Sequence, residues 1–234
     1  MRSTKLEDLE VIFFDLDDTL FDQQMAHQKA LYQMKDRYEA FEGVNVEKMI
    51  KAFEESDIEA IDEFRNGVAM DELRWNRSEK FLKKIGVNKD FTEKFHEEFY
   101  RLYPSIPVEI EGAREVVDYL NTKYKLGIIT NSTEKIQMKK LQALEITEYF
   151  DEFFFSEEVG SRKPDKEIFL YALDEVDKSS ERCLFVGNSL RSDIKGAKKV
   201  GMRTCWLNRD GKHKEDCQEP DLEISELCEL LEIL

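Results

Sequence analysis

The sequence predicts an α/β protein, a doubly wound parallel sheet interrupted by an inserted all-helical domain. Three observations predict it. Short, continuously apolar runs recur at wide intervals. From about residue 110 onward those runs alternate with segments of helical spacing. Between the first run and that alternation lie some eighty residues with helical periodicity and no convincing strand.

The first apolar run is Val11-Ile12-Phe13-Phe14. Leu126-Gly127-Ile128-Ile129, Cys183-Leu184-Phe185-Val186 and Arg203-Thr204-Cys205-Trp206-Leu207 follow, with a shorter Phe153-Phe154-Phe155. Continuous apolar character suits strands of a parallel sheet covered on both faces. Among the helices, Ala113–Asn121 places Val116, Val117 and Leu120 on one side. Ser132 or Thr133 is positioned to cap a helix carrying Ile136, Leu141 and Leu144. Residues 165–176 present Ile168, Phe169 and Leu173, and residues 192–200 run into Gly201, a helix stop. Repeated strand–helix alternation is the pattern of an α/β sheet.

Residues 22–103 read differently, being rich in Glu, Lys, Phe and Met. Val46, Met49, Ile50 and Phe53 share a helical face, as do Phe91, Phe95, Phe99 and Leu102. The stretch Tyr103-Pro104-Ser105-Ile106-Pro107 leads back toward the sheet. The expected organisation is a core of residues 1–21 and 105–234 with a helical domain of residues 22–104 inserted.

Composition narrows the function. The 234 residues include 41% hydrophobic positions and 16 Phe, enough for a packed core. A net charge of −16, with no basic cluster set among aromatic residues, argues against a nucleic acid or an anionic membrane as partner. A small phosphorylated metabolite remains compatible through a local cationic pocket. Cys183, Cys205, Cys217 and Cys228 are scattered without a CxxC pair, which points to thiols in a reducing cytosol rather than a zinc site. The charged first ten residues lack the apolar run of a signal peptide, and no stretch reaches the ~18 to 20 apolar residues of a membrane span. A soluble, cytoplasmic protein is expected; the oligomeric state is not legible.

Ligands of open α/β sheets bind outside the carboxyl ends of the strands. There the first strand delivers Asp15 and Asp17, the second Thr130-Asn131, and the strand Cys183 to Val186 delivers Gly187-Asn188. In extended backbone, residues two apart point the same way, so the carboxylates of Asp15 and Asp17 can face one pocket. One can attack phosphorus to form an acyl phosphate; the other can protonate the leaving alkoxide and then activate water. A lone Asp-x-Asp at a strand end would more often just cap the following turn.

The match is longer than that. An apolar strand followed by Asp15-Leu16-Asp17-Asp18-Thr19-Leu20 resembles the first motif of the haloacid dehalogenase (HAD) superfamily of phosphohydrolases. Thr130, ending Gly-Ile-Ile-Thr-Asn-Ser, resembles the second motif, and Lys163 in Ser-Arg-Lys-Pro-Asp the third motif's lysine. Gly187-Asn188-Ser189-Leu190-Arg191-Ser192-Asp193 resembles the acidic fourth. The resemblance covers essentially the whole chain, with the cap between motifs one and two as in subfamily I. It implies a sheet in the order 5-4-1-2-3 with the Asp15 strand central. It also implies Asp15 as nucleophile, Asp17 as acid/base, and Lys163 as the cation that neutralises Asp15 against an incoming anion. Thr130 Oγ and the Asn131 amide would donate to the phosphoryl group. Asp18 is expected to shape the turn, and Thr19 to hydrogen-bond within it.

A magnesium ion is implied as well, held by Asp15, the backbone carbonyl of Asp17 and the fourth motif. Asn188 stands where many relatives carry Asp, leaving Asp193 as the remaining acid. Asn188 then either ligates or orients a metal-bound water, or merely shapes the turn while Asp193 alone holds the metal. His27, Tyr32, Arg65, Arg74, Trp75, Arg77 and His96 of the cap are chemically able to read a substrate, although surface or packing roles suit each one singly. Hydrolysis of a small phosphomonoester is the leading function, with nucleoside monophosphates and small sugar or triose phosphates as substrate classes. Residues 201–208 resemble the corresponding stretch of subfamily I pyrimidine nucleotidases, and similar stretches occur in archaeal and bacterial phosphatases of other preference. The alternatives are hydrolytic dehalogenation, which Asp17 opposes, and a degenerate interaction module, which only Asn188 favours.

Overall fold

In the computed structural model, residues 6–65, 70–211 and 219–234 are described. The chain divides into two compact units, residues 1–23 with 107–234, and residues 24–106. The side chain of Arg65 and the whole of Cys217 lie outside the described residues.

The first unit is built on a six-stranded, all-parallel sheet. Its strands are β1 (Val11–Phe14), β2 (Lys125–Thr130), β3 (Glu152–Phe155), β4 (Cys183–Gly187), β5 (Arg203–Leu207) and β6 (Leu222–Ile224). Their spatial order is β3-β2-β1-β4-β5-β6. The expected five-strand order and the central place of the Asp15 strand are therefore present, with β6 added at one edge. That edge strand escapes a reading based on apolar runs because it is three residues long with an exposed Glu223 in the middle. Asp221, just before β6, accepts from the Thr204 amide (2.9 Å) and hydroxyl (2.8 Å) and so fastens it to β5.

Alternation along the strands divides the core between two faces. Val11 and Phe13, Ile129, Phe154, Cys183 and Phe185 form one cluster with Ile168, Phe169, Ala172, Leu173 and Val176. On the opposite face Ile12, Phe14, Ile128, Leu184 and Val186 are equally buried. Both faces being covered is why these strands read as unbroken apolar runs. Burial pushes the thiols of Cys183 and Cys205 up to about 12, so both behave as small core hydrophobes.

Ten α-helices occur among the described residues. Four lie wholly or almost wholly in the second unit: α1 (Gln23–Arg37), α2 (Val46–Arg65), α3 (Met70–Ile85) and α4 (Thr92–Leu102). Six accompany the sheet: α5 (Ala113–Asn121), α6 (Glu134–Leu144), α7 (Ser156–Val159), α8 (Lys166–Val176), α9 (Lys195–Lys199) and α10 (Leu230–Ile233). The inserted unit thus contains no strand among its described residues. Phe53, Phe81, Phe95 and Phe99 form its centre, with Phe53 and Phe99 ring centroids 4.7 Å apart and Phe81 and Phe95 4.8 Å apart.

Two local expectations are corrected. Thr133 occupies the N-cap position of α6 but its side chain makes no capping hydrogen bond. The stretch expected as one helix over 192–200 begins instead as a π-helical turn, Leu190–Ile194, before α9. Gly201 follows it in the left-handed region at φ 84°, the conformation of a helix stop.

Candidate active site

The sheet reverses its direction of growth at β1, which pairs with β2 on one side and β4 on the other. Such a switch point opens a crevice beyond the carboxyl ends of the strands. The Asp15 amide extends the ladder by donating 2.9 Å to Val186 O, so Asp15 leaves β1 directly beside the end of β4. The chain then folds tightly: the amides of Thr19, Leu20 and Phe21 all point to Leu16 O at 2.9–3.3 Å. Asp18 makes the turn possible. It adopts φ 58°, tolerable for an aspartate, and its Oδ1 accepts from the Gln23 amide at 3.0 Å. Thr19 departs from expectation, since its hydroxyl is fully buried and has no hydrogen-bond partner among the described residues.

Lys163 comes from the loop between α7 and α8, and its side chain is only 2% exposed. Its ammonium lies 2.7 Å from Asp15 Oδ1 and 2.8 Å from Asp193 Oδ1. The Asn131 side chain positions that loop: its Nδ2 donates to Lys163 O (2.8 Å) and its Oδ1 accepts from Lys163 N (2.7 Å). The third-motif lysine is thereby tied to the second-motif asparagine through backbone, a function of Asn131 that its place in the sequence did not reveal. Asp193 is wholly buried, accepts from the Ser189 amide at 2.9 Å, and lies 3.2 Å from the Ser192 hydroxyl. Asn188 is half-buried at the end of β4, and its backbone oxygen accepts from Trp206 Nε1 at 2.9 Å.

Two residues absent from the sequence-based expectations hold Asp17, and one of them joins it to Thr130. Gln137 Nε2 donates 3.0 Å to Asp17 Oδ2 and 2.8 Å to Thr130 Oγ1. Lys140 Nζ pairs with Asp17 Oδ1 and donates 2.8 Å to Gln23 Oε1. A sequence cue for both does exist. Ile136, Gln137, Lys140, Leu141 and Leu144 form one stripe at positions i, i+1, i+4, i+5 and i+8 of α6 and are all buried.

The electrostatics follow from crowding acids around buried ammonium groups. Burial pushes the Asp15 carboxyl up to about 7, against the opposing charge of Lys163 and with the help of the Asp193 and Asp17 carboxylates. Lys163 is held above its ordinary value: burial opposes its charge, but Asp15 and Asp193 outweigh that. For a cation, the carboxylates of Asp15 and Asp193 are the oxygens brought together here, around Lys163. Hard oxygens with only two carboxylates suit magnesium, which keeps several waters, and no group of three or more His, Cys, Asp or Glu suited to a metal occurs among the described residues.

Of the cap residues, two are committed to packing. His27 is buried against Phe53, Phe99 and Tyr103 at 4.6–5.4 Å between ring centroids. Arg77 is buried, ion-paired with Asp57 and donating 2.5 Å to Tyr100 Oη. His96 sits between Trp75 and Tyr100, with Nδ1 3.2 Å from Ser78 Oγ, while Arg74 lies over the Tyr100 ring and Tyr32 is exposed.

An open parallel sheet with paired carboxylates and a buried lysine at its switch point, and a helical cap inserted after the first strand, defines a capped α/β hydrolase. The chain belongs to the haloacid dehalogenase-like hydrolases, whose family model matches residues 12–207. It is 29% identical over 232 residues to the pyrimidine 5'-nucleotidase YjjG of Escherichia coli, covering 95% of this chain and 96% of that one. It is also 29% identical over 249 residues to the glyceraldehyde 3-phosphate phosphatase of Pyrococcus furiosus, covering 97% and 93%. Among solved structures, the putative HAD-hydrolase YfnB of Bacillus subtilis, bound to magnesium, superimposes with a TM-score of 0.85 at 30% identity over 97% of this chain and 98% of that one.

Proposed function

We propose that the protein is a magnesium-dependent phosphatase of small phosphomonoesters, working through an aspartyl phosphate on Asp15. The observation that carries this reading is the Lys163 ammonium shared by Asp15 and Asp193, with Asp17 two residues from Asp15 and tied to Thr130. A carboxylate can approach a phosphate dianion only where a cation offsets the repulsion, and Lys163 sits where that is needed. The family and the relatives named phosphatase and nucleotidase support the same class. Nucleoside monophosphates and triose phosphates are the substrate classes those relatives' names suggest.

An Asp15 oxygen attacks phosphorus as the P–O bond to the leaving group breaks. The departing alkoxide takes its proton from the Asp17 carboxyl. Thr130 Oγ and the Asn131 amide hold the phosphoryl oxygens, and Lys163 offsets their charge. In the second step a water oxygen attacks phosphorus, Asp17 takes the water's proton, and the bond to Asp15 breaks to release inorganic phosphate. Asp15, Asp193, the Asp17 carbonyl and Asn188 would hold magnesium, which when bound supplies a Lewis acid for the phosphoryl charge. Asp17 weighs against dehalogenation, since a halide departs without a proton.

The test is turnover of an aryl phosphate by purified protein with and without magnesium, beside Asp15→Asn. Magnesium-dependent hydrolysis abolished by the substitution is expected. A wild-type protein inert toward the aryl phosphate and a panel of phosphorylated metabolites would sink the reading.

A further inference from the structure

Lys140 is fully buried on α6, although lysine is among the side chains least often removed from water. A buried ammonium is unfavourable unless it is paired, and its charged partner is Asp17. It also donates 2.8 Å to Gln23 Oε1 and lies 5.2 Å from the centroid of the Phe21 ring. One turn back on the same stripe, Gln137 takes the second Asp17 oxygen at 3.0 Å. Each oxygen of Asp17 thus has its own donor, both donors come from one helix, and both are shielded from solvent. A carboxylate offers about four lone-pair directions, so two fixed donors still leave room for a leaving-group oxygen or a water.

We infer that Lys140, assisted by Gln137, is a positioning residue for Asp17, holding its carboxyl in the orientation from which it serves the leaving group. The inference rests on the proposed role of Asp17 as proton donor. Fixing a reacting group in advance removes the orientational cost from the chemical step, and misplacement of about 1 Å costs on the order of 100-fold. In the first step, the one that kcat/KM reports, Lys140 contributes through the transfer of the Asp17 proton to the departing oxygen as the P–O bond breaks. Its effect is therefore largest when the leaving group is a poor one and small when the leaving group departs readily as an anion.

The experiment compares kcat/KM for phenyl phosphate and 4-nitrophenyl phosphate, two substrates of one shape whose leaving groups differ in their need for a proton. Lys140→Met, Gln137→Met, Asp17→Asn and the double variant of Lys140→Met with Asp17→Asn are assayed with the wild type. Both substrates are measured on each preparation, so their ratio is independent of the fraction that folds. Lys140→Met is expected to lower the phenyl to nitrophenyl ratio by about tenfold or more, through kcat rather than KM, given the 100- to 10,000-fold that general acid catalysis typically contributes. Gln137→Met should shift the ratio the same way and by less; it carries the test if Lys140→Met yields no folded protein. In the Asp17→Asn background, Lys140→Met should leave the ratio where it is. A ratio unchanged in the Lys140 and Gln137 variants but lowered in Asp17→Asn would overturn the inference alone. So would a further shift in the double variant. An unchanged ratio in Asp17→Asn would instead overturn the reading of Asp17 itself, and the inference with it.

Discussion

Replacing Gly187 by alanine tests how closely the Asp193 carboxylate must be placed. Gly187 ends β4, and its φ is not in the left-handed region, so alanine there meets a steric problem and no conformational one. A Cβ at this position would lie 2.5 Å from Asp193 Oδ2, 2.7 Å from its Cγ and 2.8 Å from its Cβ. Ordinary contact begins at 3.4 Å, so the carboxylate must withdraw by the difference between 2.5 and 3.4 Å, about 0.9 Å. Asp193 cannot yield into solvent, because it is wholly buried and bonded to Lys163 at 2.8 Å and the Ser189 amide at 2.9 Å. Overpacking of this kind costs about 1–3 kcal/mol of stability. A displacement near 1 Å at the reacting centre costs on the order of 100-fold in rate, equivalent to about 2.7 kcal/mol of transition-state stabilisation. Aryl phosphate hydrolysis against magnesium concentration, paired with thermal unfolding, reads both effects. Gly127→Ala serves as the comparison: its Cβ would meet the Phe13 ring at 2.8 Å, giving the same class of overpacking against an apolar side chain. The expected result is a similar stability loss in both variants, with the large loss of rate and of magnesium response confined to Gly187→Ala. Wild-type kinetics in Gly187→Ala, or equal rate losses in the two, would refute the reasoning.

Two further perturbations act on the same cluster. Lys163→Met leaves the buried carboxylates of Asp15 and Asp193 without their shared cation, and breaking a buried pair this way typically costs about 3–5 kcal/mol. Without the lysine, the folded-state value of the Asp15 carboxyl, already raised by burial, rises further above the unfolded value near 3.9, so the folded state binds more protons than the unfolded one over that window. The variant therefore loses stability as pH rises. Urea unfolding without metal should show a larger deficit at about pH 8 than at about pH 5, and a deficit that is constant or shrinks with pH contradicts the assignment. Asn188→Asp adds one unit charge beside the proposed magnesium ligands and should tighten magnesium binding on the order of tenfold or more. Calorimetric titration showing no gain in affinity would mean that Asn188 only shapes the turn.

How much of this was legible in the sequence depended on whether a residue's environment leaves a periodic trace. Strands β1, β2, β4 and β5 were legible because parallel strands covered on both faces read as unbroken apolar runs. Strand β6 carries only Leu222 and Ile224 as apolar residues, too few to register. The order of the motifs brought Asp15, Lys163 and Asp193 to notice, and they do meet in space. Lys140 and Gln137 belong to none of the motifs, and lysine and glutamine in a helix ordinarily mark solvated surface. Their burial is visible only once the apolar stripe of α6 is traced as a continuous band that includes them. Asn131 was read for its backbone amide, whereas its side chain is occupied by the Lys163 backbone, a contact across 32 residues that no local pattern encodes.

The charge balance of the assembled cluster explains why a divalent cation belongs to the proposed chemistry. Asp15, Asp17 and Asp193 bring three carboxylates, and Lys163 and Lys140 bring two ammonium groups, leaving one net negative charge when all are ionised. A phosphomonoester dianion entering so dry a site would meet repulsion that water could not screen. Burial raises the Asp15 carboxyl first, and the neighbouring Asp193 and Asp17 carboxylates add to it. A magnesium ion held there would turn the cluster from one negative to one positive charge and favour entry of the dianion. Asn188 matters in this balance because it contributes oxygen without charge: an aspartate there would carry the cluster one charge lower, binding the metal more firmly while weakening the pull on the substrate. Asn188→Asp should therefore tighten magnesium binding while raising KM for the phosphate ester at saturating magnesium. If both improve together, charge balance is not what tunes this site.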